Sequence, residues 1–311
     1  MIFTSKPERV LVTGGAGFIG SHFVDKIVAQ GYSVRVLDNL SAGKLENIKG
    51  HLKTEKVDFV NGDIRDSDLV LKCLDDVNIV VHFAAQTSVS LSVGNPDFTF
   101  DVNASGTKNL LDACVKKGVG KFVLASSCAV YGDPKCLPVN ETCKTNPISP
   151  YAESKLLAER YCFEADKTKR VRSVVLRFFN VYGPRQSMND YTGVITKFFD
   201  RAKRKEPLIV YGDGLQTRDF VSVYDIVDAL VACMTIAGAE GQVFNIGSGT
   251  PTSINDLAKM ILQLTDVNLQ ICNEKPRVGE IKDSYADISK AKRLLNYEPK
   301  VSLRDGLHGL L

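Results

Sequence analysis

The chain has 311 residues, of which 44% are hydrophobic and 24% charged, and its formal net charge is +3 at pH 7. This length suggests one large α/β unit or two domains, and the composition is ordinary for a globular protein. So small a charge does not indicate binding to nucleic acid or to a membrane surface. No apolar run approaches the ~18 residues that a membrane span needs.

Eight cysteines are scattered along the chain without a CxxC pair, and the four histidines have no ligand spacing. We therefore predict no metal site. Nothing in the sequence marks secretion, because the first strand and a glycine-rich loop begin near the N-terminus. We expect a cytoplasmic protein without disulfides.

The first half of the chain alternates short apolar runs with helical patterns. Nearly continuous apolar runs are typical of parallel strands that are covered on both faces. They predict strands at 9–13, 33–37, 57–60, 78–82, 121–125 and 171–177. Helices are predicted at 21–30, 66–74, 97–117 and 150–166. This alternation indicates right-handed βαβ units and a Rossmann-type, doubly wound parallel α/β sheet.

The second half of the chain does not continue this alternation. Helices are predicted at 193–205, 223–234, 254–264 and 288–295, among short strands and turns. We predict a Rossmann domain over residues 1–178, to which residues of about 219–247 return. A smaller C-terminal α/β lobe over residues 179–311 would hold the substrate.

A glycine-rich loop follows the first predicted strand and opens a helix. Its spacing is G-x-x-G-x-x-G, at Gly14, Gly17 and Gly20. In a dinucleotide site these glycines allow a tight turn, the approach of a pyrophosphate and close packing of helix on strand. The helix N-terminus, at Phe18 and Ile19, supplies amide donors for the phosphates. The triplet alone is a weak signal, and the strand, helix and acid around it make it specific.

The acid is Asp38, at the end of the second predicted strand. A carboxylate there can accept from both ribose hydroxyls of an adenosine and would repel the 2′-phosphate of NADP, so the sequence favours NAD. Asp63 and Ile64, after the third strand, could bracket the adenine, and a plain turn fits that pair equally well. We assign three further residues to the cofactor site: Asn39, Ala84 and Ala85.

A tyrosine and a lysine stand four residues apart on a predicted helix, at Tyr151 and Lys155. Such a pair shares one helix face, and a nearby ammonium lowers the pKa of a phenol. Tyr151 is then a usable general base. Pairs of this kind also occur on helix surfaces by chance. Here Ser127 follows a strand end, where open α/β sheets bind ligands, and its hydroxyl could hold the oxygen that Tyr151 deprotonates.

Four motifs together resemble the extended short-chain dehydrogenase/reductase family, along essentially the whole chain. They are TGGAGFIG at 13–20, Ser127 with Tyr151-x-x-x-Lys155, RFFNVYGPR at 177–185 and TRDFV at 217–221. The resemblance implies NAD as cofactor and a nucleotide sugar as substrate.

The resemblance also implies roles for single residues. Asn103 would support the active site, and Asn180 and Arg218 would contact the nucleotide diphosphate. Arg277 would hold the other phosphate oxygens, for which a guanidinium fork is suited. Glu280 is assigned to the same substrate site. Some related epimerases carry a lysine near the pyrophosphate, where this chain has Thr87.

The two residues after Ser127 distinguish the reactions of this family. By the resemblance, a 4,6-dehydratase would carry an Asp-Glu pair there, and a UDP-glucuronate decarboxylase would keep a Glu. Cys128 and Ala129 stand here instead, and neither moves a proton between C5 and C6. We therefore predict a UDP-hexose 4-epimerase that oxidises C4 with NAD and reduces it back. Alternatives are an epimerase for UDP-glucuronate or a UDP-pentose and a non-catalytic NAD sensor.

Two further expectations follow from the resemblance. The position of Ser284 lines the sugar pocket in related epimerases, and so small a residue leaves room for the N-acetyl group of UDP-GlcNAc or UDP-GalNAc. The helices at 97–117 and 149–166 resemble the pair that forms a dimer interface. We expect a homodimer, with an apolar stripe formed by Leu110, Leu111, Leu156 and Leu157.

Overall fold

The computed structural model describes residues 8–54, 56–186, 193–276, 279 and 281–311. Its strands are β1 Arg9–Thr13, β2 Ser33–Asp38, β3 Val57–Asn61, β4 Ile79–His82, β5 Lys121–Ser127, β6 Arg172–Phe178, β7 Asn180–Tyr182, β8 Leu208–Tyr211, β9 Thr217–Ser222, β10 Val243–Ile246, β11 Pro251–Ser253, β12 Ile271–Glu274 and β13 Asp283–Ser284. Its helices are α1 Phe18–Ala29, α2 Ser67–Cys73, α3 Val89–Gly94, α4 Pro96–Phe100, α5 Gly106–Lys117, α6 Pro150–Lys167, α7 Val194–Lys203, α8 Val223–Thr235, α9 Ile254–Thr265, α10 Ser289–Leu295 and α11 Leu303–His308.

The large sheet has the strand order β10-β6-β5-β4-β1-β2-β3. β3 pairs with β2, β2 with β1, β1 with β4 and β4 with β5, all in parallel. The chain builds the sheet outward from β1 to β3 and then returns to the other side of β1 to form β4. The expectation of a Rossmann-type doubly wound α/β sheet is confirmed. At the carboxyl end of β1, Thr13 pairs with Leu37 of β2 on one side and with His82 of β4 on the other.

The chain forms two compact units. The first comprises the described residues of 1–127, with 149–176 and 227–243. Its core packs apolar strand residues such as Leu11 and Phe122 against Val70 of α2, Leu110 of α5 and Ala158 of α6. The helices have ordinary local signals: Asp66 caps α2 by accepting from Leu69 N–H, and α5 ends at a left-handed glycine.

The second unit comprises residues 128–148, 177–226 and 244–311. Its sheet places β9 between β11 and β13, and β7 also pairs with β9. Helices α7, α9 and α11 contribute to one core, in which Phe198, Leu257 and Leu307 are buried. Strand β9 is thus central to this unit.

The expectation that no disulfide forms is wrong, and the predicted helix at 97–117 contains a π-turn. Cys136 and Cys143 form a disulfide, with Cα atoms 6.6 Å apart. The expectation of no disulfide follows from the lack of any mark of secretion in the sequence. The pairing follows instead from the loop between the two cysteines, which brings them close together. The predicted helix at 97–117 is interrupted by a π-turn at Asp101–Ser105, because Gly106 N–H bonds to the carbonyl of Asp101.

Candidate active site

The glycine loop of the first unit is a cradle that side chains would fill. Gly14 has φ +70°, and a Cβ there would lie 2.7 Å from the backbone nitrogen of Ala84. A Cβ on Gly20 would collide with the carbonyl oxygen of Gly14. Gly17 is the N-cap of α1 and offers no side chain to accept hydrogen bonds from the first helical turn. The backbone N–H groups of that turn, which include those of Phe18 and Ile19, can therefore donate to a ligand. This geometry fits the pyrophosphate of a dinucleotide.

Asp38 ties this loop to the end of β2. Its carboxylate is 6% exposed and accepts hydrogen bonds from Ala16 N–H at 2.9 Å and Leu40 N–H at 2.8 Å. Burial raises the pKa of Asp38, and the two amide bonds oppose that shift. A carboxylate has about four acceptor positions, so sites remain for ribose hydroxyls.

Asn39, after β2, and Asp63, after β3, lie near the surface, whereas the side chain of Ile64 lies in the core. Asp63 accepts from Arg65 Nε at 2.9 Å and from Asn39 Nδ2 at 2.9 Å. The bond to Arg65 is the main cause that lowers the pKa of Asp63 to about 2. The Ile64 side chain is buried and faces Gly106, where an added Cβ would lie 2.6 Å from it. Asp63 and Asn39 therefore remain candidates for adenosine contact, while the Ile64 side chain belongs to the core.

Asn103 joins the loop after β4 to helix α6. It is 1% exposed, accepts from Gln86 N–H at 2.8 Å and donates to Gln86 O at 2.9 Å. It also donates to Ser154 Oγ at 3.0 Å, and Ser154 donates to Tyr151 O at 2.8 Å. Asn103 thus fixes the loop that contains Ala84 and Ala85 relative to the helix of the tyrosine and lysine.

Helix α6 carries the tyrosine and lysine of the predicted catalytic set. Ser149 caps the helix by accepting from Ala152 N–H at 3.2 Å. Tyr151 is half-buried, while Lys155 is 5% exposed. Burial lowers the pKa of Lys155 to about 8, and the Glu159 carboxylate opposes that shift. A cation at this place favours the phenolate of Tyr151.

The serine of the set ends strand β5. The strand runs two residues further than predicted and includes Ser127, which is half-buried. Strand β5 packs against α6, and Ser126 donates to Glu159 at 2.5 Å between the two elements. The first unit therefore holds Ser127, Tyr151 and Lys155 on two elements that are packed together.

A buried histidine, missed at the sequence level, connects the cofactor loops. His82 Nδ1 lies 2.6 Å from Thr13 Oγ1, and its Nε2 lies 2.9 Å from Thr107 Oγ1. Thr107 donates to Asn103 O at 2.5 Å, so it accepts from Nε2–H, and Thr13 then donates to Nδ1. Burial lowers the pKa of His82 to about 3, with Lys155 as the second cause. The useful signal was a histidine that ends a fully apolar strand, since buried polar groups need partners.

The predicted substrate residues of the second unit meet around β9. Ser284 of β13 pairs with Arg218 of β9, and Asn180 of β7 pairs with Phe220 of β9. Arg218 donates to Thr217 O at 2.7 Å, and Ser284 is 8% exposed. Arg277 and Glu280 lie outside the described residues.

Asp219 fixes the surroundings of β9 and was also missed. It is fully buried and accepts from Ser248 N–H at 2.7 Å, Ser248 Oγ at 2.6 Å and Gly249 N–H at 2.9 Å. A fourth bond, of 3.1 Å, comes from Ala286 N–H, two residues after Ser284. The aspartate of the TRDFV motif is therefore structural in this unit.

The turn after β5, which we expect to distinguish the reactions of the family, is also anchored. Cys128 and Ala129 begin a 3₁₀ turn that ends at Tyr131. The Tyr131 hydroxyl donates to Asn245 Oδ1 at 2.7 Å and accepts from Arg177 at 2.8 Å. Burial raises the pKa of Tyr131 to about 12, so the hydroxyl keeps its proton and the turn keeps this anchor.

Comparisons with known proteins agree with this architecture. The model of the NAD dependent epimerase/dehydratase family matches residues 10–247. UDP-glucose 4-epimerase of Mycolicibacterium smegmatis is 38% identical over 301 residues, which are 96% of each chain. The structure of the Thermotoga maritima UDP-glucose 4-epimerase with UDP-glucose has a TM-score of 0.92 and 39% identity, covering 97% of this chain and 96% of that one.

The chain belongs to the NAD-dependent epimerase/dehydratase family. This result confirms the resemblance to the extended short-chain dehydrogenases/reductases and confirms NAD as the cofactor. The Thermus thermophilus UDP-glucose 4-epimerase in complex with NAD has a TM-score of 0.88 and 36% identity, covering 96% of each chain.

Membership in the epimerase/dehydratase family does not choose the reaction. UDP-N-acetylglucosamine 4-epimerase of Methanobrevibacter ruminantium has a TM-score of 0.93 and 34% identity, covering 98% of this chain and 97% of that one. UDP-glucuronic acid decarboxylase 2 of Arabidopsis thaliana is 38% identical over 307 residues, which are 97% of this chain and 67% of that one. The protein is thus an enzyme of a family that acts on nucleotide sugars with NAD.

The described residues contain neither a metal-binding cluster nor a helix that could span a membrane. No group of three or more His, Cys, Asp or Glu side chains among them is placed to hold a metal ion. None of the described helices has the length and apolarity to cross a membrane.

Proposed function

We propose that this member of the family is a UDP-hexose 4-epimerase. The observation that carries the proposal is the turn after β5, where Cys128 and Ala129 stand in place of the acids that elimination or decarboxylation would need. A thiol and a methyl group leave Tyr151, Lys155 and Ser127 as the groups that act on the sugar. With NAD as the hydride acceptor, these three suffice for the proton transfers in a reversible oxidation of one hydroxyl.

In the proposed mechanism, the same three side chains act in the oxidation of C4 and again in its reduction. Ser127 holds the C4 oxygen, and the Tyr151 phenolate takes the proton of the C4 hydroxyl. Lys155 keeps that phenolate charged. The glycine loop would hold NAD, which would supply the acceptor, and later the donor, of the C4 hydride. The 4-keto sugar turns over between these steps, so that Tyr151 returns the proton to the opposite epimer.

The nucleotide stays anchored while the sugar turns. We assign this role to Asn180 and Arg218 on β7 and β9, because their amide and guanidinium groups suit phosphate oxygens. Arg277 and Glu280, which lie outside the described residues, stay assigned to the same site. Relatives named above act on UDP-glucose or UDP-N-acetylglucosamine, which supports a UDP-hexose as substrate.

The test is an NMR assay of the purified protein with separate UDP-sugars. We expect UDP-glucose and UDP-galactose to interconvert with NAD in catalytic amount, because each hydride removed is returned. Stoichiometric NADH formation would identify a dehydrogenase instead. Release of carbon dioxide from UDP-glucuronate, without epimerisation of the hexoses, would identify a decarboxylase.

A further inference from the structure

A buried side-chain pair joins β5 to α6 and has no part in the scheme above. Ser126 Oγ donates to Glu159 Oε1 at 2.5 Å, and the two residues are 4% and 1% exposed. Ser126 directly precedes Ser127, and Glu159 lies one helical turn after Lys155. The pair is therefore next in sequence or in helix register to two of the three catalytic side chains.

Burial of a carboxylate is costly unless charge and hydrogen bonds compensate for the lost water. On α6, Lys155 and Glu159 are an i,i+4 pair and project from the same face. Both are buried, so their attraction is screened less than it would be at the surface. Burial lowers the pKa of Lys155, and the charge of Glu159 is the largest of the effects that raise it again.

Other ionisable groups near this pair do not supply the same charge. They are His82 on β4, Cys114 on α5, and Cys162 and Asp166 on α6. Burial lowers the pKa of His82 to about 3 and raises the pKa values of both thiols, so these three are neutral near pH 7. Asp166 is half-buried and accepts from Ser173 N–H at 2.9 Å. Among the described groups that act on Lys155, Glu159 is thus the buried carboxyl group.

We propose that Glu159 is a positioning residue of the reaction centre: its carboxylate keeps the Lys155 ammonium charged and, through Ser126, fixes the strand end that carries Ser127. The inference rests on the proposed function, in which Tyr151 must form a phenolate. Without the Glu159 charge, Lys155 loses its proton at lower pH, and Tyr151 loses the cation that stabilises its phenolate.

The deciding experiment follows the ionisation of Tyr151 by the absorbance of tyrosinate as the pH is raised. Each protein is compared with the same protein carrying Tyr151→Phe, and the difference in absorbance between the two belongs to Tyr151. Glu159→Gln keeps an acceptor for Ser126 and removes the charge, and we expect it to raise the pH of tyrosinate formation by about one unit. Ser126→Ala keeps the charge and should shift the titration less. Glu164→Gln, at an exposed acid of the same helix, is the control and should not shift it.

Activity gives a second readout. Glu159→Gln should lower kcat near neutral pH by about tenfold, with little change in the KM for UDP-galactose, and raising the pH by about one unit should restore much of that loss, because the phenolate then forms again. An unshifted tyrosinate titration in Glu159→Gln overturns the proposal. If that variant does not fold, Glu159→Asp should give a smaller shift in the same direction, and an unchanged titration there overturns it equally.

The two proposals fail in different ways. A shifted titration in a protein that epimerises no UDP-hexose would refute the proposed function and leave the role of Glu159 standing. Epimerisation with an unshifted titration would refute only the role of Glu159.

Discussion

At the scale of single residues, Tyr151 is the group on which the proposed chemistry depends most. Tyr151→Phe removes one oxygen from a half-buried side chain, so we expect binding of NAD and UDP-sugar to persist. The rate should fall by roughly 10²–10⁴-fold, the usual contribution of a positioned acid-base group. Tyr161→Phe, on the same helix, removes a hydroxyl that the mechanism does not use and should be nearly neutral. Near-normal turnover by Tyr151→Phe would remove Tyr151 from the mechanism.

Ser284 is the residue that we expect to decide the size of the sugar. Its side chain is small and lies beside Arg218 on neighbouring strands. Ser284→Tyr should abolish conversion of UDP-GlcNAc and UDP-GalNAc and leave conversion of UDP-galactose largely intact, because a bulky side chain excludes the N-acetyl group. Ser284→Ala is the matched small variant and should keep both activities.

Ser284 is 8% exposed, so a tyrosine at this position also tests whether the protein tolerates a larger side chain there. Retained UDP-galactose activity is itself evidence of folding. Should the tyrosine variant convert both kinds of sugar as the parent does, Ser284 is not the gate, and N-acetyl tolerance loses its physical basis.

At the scale of elements, the sequence predicted the strands better than their connections. Strands β2 and β4 were predicted to within one residue at each end, because continuous apolar runs bounded by polar residues define them. The π-turn inside the helix at 97–117 was missed, because it is defined by a backbone bond from Gly106 N–H to the carbonyl of Asp101, which no side-chain pattern marks. Helix α3 was not predicted, and α4 is the beginning of the helix predicted at 97–117.

In the candidate site, too, the local motifs could be predicted from the sequence, and the contacts between distant residues could not. The glycine loop and the pair Tyr151 and Lys155 are local motifs, so their spacing predicts them. The bonds that hold these motifs in place are not local: Asn103 and Gln86 are 17 residues apart, and Ser126 and Glu159 are 33 apart. Only the fold brings such residues together, and no period or spacing indicates them.

The network around His82 predicts a pH dependence of stability. The folded state holds His82 neutral down to about pH 3, whereas the unfolded chain binds its proton near pH 6.5. The unfolded state therefore binds more protons between these values, and stability falls as the pH decreases through that window. The loss between about pH 7 and pH 4 should approach ~3 kcal/mol.

Urea unfolding at the two pH values measures this effect. His82→Gln, which cannot titrate, should lose less stability on acidification than the parent does. His51→Gln, at the half-buried histidine whose Nε2 lies 2.6 Å from Asp25, is the matched histidine control. Equal acid sensitivity of the His82→Gln variant and the parent would contradict the buried neutral state of His82.

At the scale of the whole molecule, the expected apolar stripe of the dimer needs correction. Leu110 and Leu111 are 0% and 3% exposed within the core of the first unit, so they are not available to a partner. Leu156 and Leu157 are half-buried on α6. Helix α3 packs against α6, and its Val93 is 66% exposed. A dimer would therefore use α3 and α6 rather than the buried side of α5.

We predict a homodimer at micromolar concentration, measured as mass by light scattering. Val93→Lys should shift the protein toward the monomer, because it places a charge in the apolar contact. Leu215→Lys changes a side chain of similar exposure, 61%, in the second unit and should leave the mass unchanged. A monomeric parent protein would contradict the dimer.

The π-turn at Asp101–Ser105 has a consequence for chain length. It accommodates one residue more than an α-helix would, and each helical residue turns the chain by about 100°. That surplus residue therefore sets the direction in which Asn103 faces relative to α5. A variant with one residue deleted between Asp101 and Ser105 would carry the same asparagine on another side of the helix, so the length of this segment, as well as its sequence, fixes where the amide lies.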